Sequence, residues 1–301
     1  DFLVASWNEY AFGTDSFEGC RLGVFNKSGL VDGSDPHLAE VNDLRVSGGT
    51  PAFGVVPCRH HGANSAFYLV SSEPGGGASL ELWRLTGTPR APELASVSVP
   101  GVLNYQAPPN GRQPGVPVGW AADALELGHC RVRSAVADND RIWTALNTSL
   151  DGVVPDAAIH LTELDGVNGT VLQSQAIGAR GTDYFLPAVD TTRGRKPGAV
   201  VVFGSSSRKT GAGLRYCVRL QSMRAGKFRP SKPLIKGNGK YDPLAPRDPL
   251  DPQPPPAWAS YFSAVRDPAR PQRVLVAGTY ADAKKSRSSR AWATRLKFIK
   301  P

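Results

Sequence analysis

Glu9 and Tyr10 in "WNEY", Glu73 in "SSEP", and Tyr280 with Asp282 in "GTYAD" are the side chains whose types suit bond-breaking chemistry. Hydrolysis of a glycosidic bond needs two carboxyls a few ångströms apart across the bond, one as acid and one as base or nucleophile. Spacing along a chain does not set that distance. Isolated acids and aromatics at strand ends are more often solvated edges than catalysts. No catalytic set is therefore assigned, and Glu9, Tyr10, Glu73 and Asp282 are kept as the candidates that a structure must bring together.

Other chemistries find less support. The five histidines, His37, His60, His61, His129 and His160, show no HExxH spacing. "CRHHG" at 58–62 reads as a polar loop, and "DGSD" at 32–35 lacks the rest of a calcium loop. "GxSxG" is absent. The glycines of "EPGGGASLE" link two strands and lack the lysine of a phosphate loop. No metal or cofactor is expected. Asp138, Asp190 and Asp267 recur at one place in three repeats, just after an apolar run, where an aspartate bonds the backbone of its own turn. Cys20, Cys58, Cys130 and Cys217 are far apart with no CxxC, which predicts buried thiols or one or two disulfides. "NKS", "NTS" and "NGT" form sequons at Asn26, Asn147 and Asn168.

The elements that position these residues are strands. Thirty-two glycines and 26 prolines punctuate apolar runs of five to nine residues, among them "RIWTALN", "AVVVFGS" and "RVLVAGTY". No segment keeps a helical period over three turns. The stretch "AEVNDL" is the least strand-like, and no run is long enough to be a membrane helix. An outline of strand, polar turn and strand recurs, with four strands per unit in the middle copies. Radial repetition of four-stranded sheets predicts an all-β chain folded as a β-propeller, with restarts near Leu3, Phe53, Arg131, Tyr184 and Tyr261 giving five blades. The expected blades span about 1–50, 51–102, 130–180, 182–236 and 258–301. Pro/Gly-rich loops cover 101–129 and 236–257. A β-sandwich is the alternative.

"NYQAPPNGRQPG", "CRVRSAVADNDRIWTALNTS", "DYFLPAVDTTRGRKPGAVVVFGSSS" and "WASYFSAVRDP" occur in that order. This succession, over about residues 104–299, resembles a bacterial family of exported, sialidase-like propeller proteins. The resemblance is one of strands. The Gly-Asp pair usual in the family stands here as Ala259-Ser260, and the closing tryptophan strand as "RAWATRL". It implies a propeller outside the cytoplasm, extracellular or periplasmic. A sialidase would also need an arginine cluster for a carboxylate, a Tyr–Glu nucleophile pair and an acid, and the absence of a "SxDxGxTW" box weighs against a true sialidase. The chain starts at Asp1 and its sole methionine is Met223, so a processed or trimmed start is expected.

Charge is divided unevenly. Residues 1–192 hold 11 basic and 21 acidic side chains; residues 193–301 hold 24 basic and 5 acidic. Arg208 and Lys209 in "SSSRKTGAG", and Lys284, Lys285, Arg287 and Arg290 in "DAKKSRSSR", are expected on loops of one face. A basic face on a rigid scaffold attracts acidic partners. The expectation is a non-catalytic binding or scaffolding module that docks an acidic protein, an anionic polysaccharide or an envelope surface. Nucleic acid ranks lower, because the basic loops carry few aromatics and no recognition motif. The alternatives are a sialidase-like glycoside hydrolase acting at the central channel and a permanent subunit of a larger envelope assembly.

Overall fold

The computed structural model describes residues 2–116, 124–151, 155–242, 255–282 and 291–301. These form an all-β protein of five separate sheets, none closed on itself, with one short helix. The first sheet is β1 (Phe2–Tyr10), β2 (Phe17–Asn26) and β3 (Leu38–Val41), with α1 (Lys27–Asp32) between β2 and β3. The second joins β4 (Val56–Pro57), β6 (Phe67–Ser72), β7 (Gly76–Thr88) and β8 (Ala91–Gln106). The third runs β9 (Val132–Asp138), β10 (Arg141–Leu150), β11 (Asp156–Asp165) and β12 (Thr170–Ile177). The short β5 (Arg59–His61) adds to β9 in parallel. The fourth is β13 (Asp183–Thr192), β14 (Gly198–Ser206), β15 (Gly211–Leu220) and β16 (Lys232–Gly237); the fifth is β17 (Ser263–Arg266), β18 (Val274–Ala281) and β19 (Trp292–Ile299). Every pairing within these sheets except β5–β9 is antiparallel.

Period-2 alternation decides which neighbour each side chain meets. On β14, Val200 and Val202 enter the core between the fourth and fifth sheets, while Val201 and Phe203 enter the core between the third and fourth. On β6, Leu69 faces the first sheet, and Tyr68 and Val70 face the third. Four apolar cores thus separate five sheets, and a strand in an interior sheet must be apolar on both faces. That is why "AVVVF" is continuous where a half-buried strand would alternate. Each such side chain contributes about 1.5–3 kcal/mol when fully buried.

Turn chemistry follows the local sequence. Asn139 and Asp140 both take positive φ, 52° and 60°, giving β9–β10 the tight two-residue hairpin that suits strand twist. A bulge between Phe185 and Ala188 puts buried Leu186 at φ 51°. Its N–H donates to Oδ1 of Asn147 at 2.8 Å, while Asn147 Nδ2 donates to the Leu127 carbonyl at 2.8 Å. Asn147 has no exposed surface, so the sequon at 147 is not available in the folded chain.

Several expectations are corrected. "AEVNDL" supplies most of β3, not a loop or helical turn, and the helix falls at Lys27–Asp32. β8 runs to Gln106, beyond the expected loop start, by passing a bulge at Gly101, φ 84°. The first and fifth sheets have three strands each. Of the two outcomes expected for the cysteines, the buried thiols are the one observed: Cys20, Cys58, Cys130 and Cys217 form no disulfide.

Candidate functional site

The first strands of the sheets converge on one cavity of about 940 Å³. Its wall includes Leu3 and Val4 of β1, the Val56–His60 stretch through β4 into β5, Ser134 and Ala135 of β9, Ala188 of β13, and Ser263 and Ala264 of β17. Lys27, Arg59 and Arg133 bring positive charge to the wall, and no aspartate or glutamate is among its described residues. His60 stacks on Phe67 with centroids 4.2 Å apart and accepts the Tyr68 N–H at 3.0 Å. Burial, above all, holds its pKa below the ordinary histidine value, so it adds no charge near neutrality.

A smaller adjoining pocket of about 320 Å³ shares Val56, Pro57 and Arg133 with the cavity and adds Trp7, Asn8, Arg131 and Tyr261. β1 is fixed beside it by Asn8, whose Oδ1 accepts the Gly54 N–H at 3.0 Å. The Arg133 guanidinium lies 5.9 Å from the centre of the Tyr261 ring, and its Nε is buried without a hydrogen-bond partner. Burial and then the nearby charge of Arg131 depress the Arg133 pKa, opposed by Tyr261. An arginine stays charged through such a shift. Among the described residues neither Arg131 nor Arg133 forms an ion pair. The two therefore present repelling positive charges that an anion between them would relieve.

Beside the cavity lies a buried ionic cluster. Asp190 of β13 has no exposed surface and receives His61 Nε2 at 2.8 Å, Arg59 Nη1 at 3.0 Å and the Arg266 N–H at 2.7 Å. Asp138 at the end of β9 receives Arg193 Nη2 and Arg266 Nη1, each at 2.6 Å, and the Thr191 hydroxyl at 2.9 Å. Burial opposes ionisation of both carboxyls. For Asp190 the bond to and charge of His61, with the Arg266 N–H and Arg59, outweigh it; for Asp138 the two arginines and Thr191 do, so both pKa values lie below the ordinary range. Only Asp267 acts mainly within its own turn as expected, accepting the Ala269 and Arg270 N–H groups. Asp138 and Asp190 instead join the third, fourth and fifth sheets, and every carboxylate oxygen named here is occupied by protein partners.

The candidate catalytic residues do not meet in this cavity. Glu9 is bound by Arg21 Nε at 2.6 Å, with Tyr10 exposed beside Phe17. Glu73 accepts the Ser79 hydroxyl and borders a separate pocket with His129 and Cys130. Asp282 accepts Asn238 Nδ2 at 3.0 Å. Arg208 and Lys209 occupy the exposed β14–β15 turn, shaped by Ser207 and Thr210. Lys284, Lys285, Arg287 and Arg290 lie outside the described residues, as do 243–254 of the proline-rich loop and 117–123. Arg131 and Arg133 carry little signal in the sequence. The available signal was two arginines spaced by two residues with no acid beside them. Among the described residues no group of three or more His, Cys, Asp or Glu side chains could hold a metal, and no helix is long and apolar enough to cross a membrane.

Comparison with protein-family models, curated proteins and solved structures found no match for this chain. Fold and site together define an all-β protein with a cation-lined cavity, and its function is argued from that geometry.

Proposed function

We propose that the chain is a five-bladed β-propeller acting as a non-catalytic binding module, whose central cavity and mouth take an anionic group of an acidic polysaccharide or protein. The carrying observation is a cavity of about 940 Å³ walled by strands from all five sheets, with Lys27, Arg133 and the Asp190-paired Arg59 on its wall and no described carboxylate among its lining residues. The burial of both faces of the interior sheets favours blades around an axis over the two stacked layers of a sandwich. Trp7 and Tyr261 beside Arg131 and Arg133 offer ring faces next to positive charge, a combination suited to a charged sugar. The exposed basic turn at Arg208 and Lys209 would add long-range attraction. Hydrolysis is disfavoured because Glu9 and Glu73, the best candidates, do not face each other across the cavity. The exported location rests on the family resemblance.

The test is retention of the full chain on immobilised heparin across a salt gradient. Arg131→Glu with Arg133→Glu is expected to lower the eluting salt concentration further than the charge-matched surface pair Arg224→Glu with Arg229→Glu. Equal losses from both pairs would mean that net charge alone is being read, and the cavity proposal would fail.

A further inference from the structure

Two segments run side by side beneath the cavity and its mouth. β5 pairs in parallel with β9, Arg59 opposite Val136 and His60 opposite Ala137. The same alignment holds upstream at Gly54, where a Cβ would stand 3.7 Å from Cδ of Arg131. Residues 53–60 and 129–135 therefore border three adjoining spaces in one order. Phe53 and 129–131 border the pocket of about 190 Å³ beside Glu73. Residues 54–57 and 131–133 border the mouth of about 320 Å³, and 56–60 and 133–135 the cavity of about 940 Å³. From Phe53 to His60 this track is at most about 25 Å long, the length of several sugar rings and not of one.

The chemistry changes along the track. The cavity and the mouth have no carboxylate among their described lining residues. At the mouth stand Arg131 and Arg133, without ion pairs among the described residues, and the rings of Trp7 and Tyr261. The far pocket has one carboxylate among its described lining residues, Glu73, which accepts the Ser79 hydroxyl and forms no ion pair among the described residues. Phe53 forms its wall, backed by Phe17 with ring centres 5.1 Å apart. Negative charge is favoured at the mouth and disfavoured beside Glu73. The ring of Phe53 suits the C–H face of an uncharged sugar unit. The backbone separates a sugar chain from a peptide. β4 and β5 are two and three residues long, and Pro57 at their junction has no N–H. The track thus offers no continuous strand edge for an extended peptide to join.

We infer, resting on the anion-binding reading above, that the ligand is a linear acidic oligosaccharide lying along this track, with an acidic unit at Arg131 and Arg133 and an uncharged unit against Phe53.

Calorimetric titration of the full chain with hyaluronan fragments, in which glucuronate alternates with uncharged N-acetylglucosamine, tests this. The hexasaccharide is expected to bind at least about tenfold tighter than the disaccharide. Phe53→Ala is expected to cost the hexasaccharide about fivefold and the disaccharide nothing. Arg131→Ala with Arg133→Ala is expected to weaken every length. Glu73→Gln keeps the pocket's shape and is expected to tighten a hexameric oligogalacturonate, charged on every unit, about threefold. Melting temperatures verify that each variant folds, and Glu73→Gln keeps the test open if Phe53→Ala does not. Arginine-dependent binding that is equal at all lengths, a length gain untouched by Phe53→Ala, or oligogalacturonate binding unchanged by Glu73→Gln would overturn this inference and leave the anion-binding reading standing. So would arginine-dependent binding of polyglutamate with no binding of any sugar. Binding indifferent to both arginines, or no binding of sugar or peptide, would end both readings.

Discussion

Nε2 of His61 lies 2.8 Å from Oδ1 of Asp190, joining the short β5 to a carboxylate with no exposed surface in the fourth sheet. With Arg59, Arg266 and Asp138 this bond gathers three sheets beside the cavity wall. Breaking a buried ion pair from one side costs far more than the pair itself contributes, because the remaining charge loses its partner.

Asp190→Asn should therefore destabilise the fold by about 3–5 kcal/mol in denaturant melts. Asp43→Asn, which removes an exposed pair with Arg45 at 2.9 Å, should cost less than about 1 kcal/mol. Equal effects of the two would show that the cluster does not hold the sheets.

Acid should act in two stages. Burial lowers the His160 pKa to about 4, from 6.5. Below pH 6.5 the unfolded chain takes up a proton that the folded chain refuses, so stability should fall as pH drops from 6.5 to about 4, by roughly 3 kcal/mol in total. Asp138 and Asp190 have lowered values, so their contribution is complete above the ordinary aspartate pKa and is lost as pH falls below it through their folded values. Stability measured against pH should have a shallower upper slope in His160→Gln, with His60 supplying what remains, and keep its lower one.

The thiols should be inert in the native state. Burial pushes Cys217 up to about 12 and raises Cys20, Cys58 and Cys130 as well, which removes the reactive thiolate. A chromogenic disulfide reagent should detect no thiol before unfolding and four after it, and a reductant should leave the melting temperature unchanged. A lower melting temperature under reductant would reveal a disulfide.

Asn147→Ala should strand the Leu186 N–H and the Leu127 carbonyl inside the protein. Each unsatisfied buried group costs about 1–3 kcal/mol, so this substitution should rank near Asp190→Asn in a thermal-shift series. A neutral effect would mean that the β13 bulge finds other partners.

Local signals were legible where one strand carries its own pattern. "AVVVF" and "RIWTAL" read as buried strands because their apolar runs end in turn residues, and Asn139-Asp140 marks its hairpin directly. Non-local pairing was not legible. "CRHHG" reads as a polar loop, yet Arg59–His61 becomes a strand because β9, more than 70 residues on, offers a free edge. β3 was obscured because "LAEV" alternates weakly over four residues. Asp138 and Asp190 were found as repeated positions, but their cross-sheet role depends on Arg193, Arg266 and His61 arriving from elsewhere. Arg131 and Arg133 sit within and beside an ordinary-looking strand, and only the missing acidic neighbours in space set them apart.

We propose that the cavity binds an anionic group without cleaving its bearer. This is tested most directly by calorimetric titration of an oligogalacturonate into the full chain, with reducing ends assayed in the same samples. Saturable, salt-sensitive binding is expected, weakened at least about tenfold, or 1.4 kcal/mol, by Arg131→Ala with Arg133→Ala, with no reducing ends released. Binding indifferent to both arginines, or a steady release of reducing ends, would contradict it.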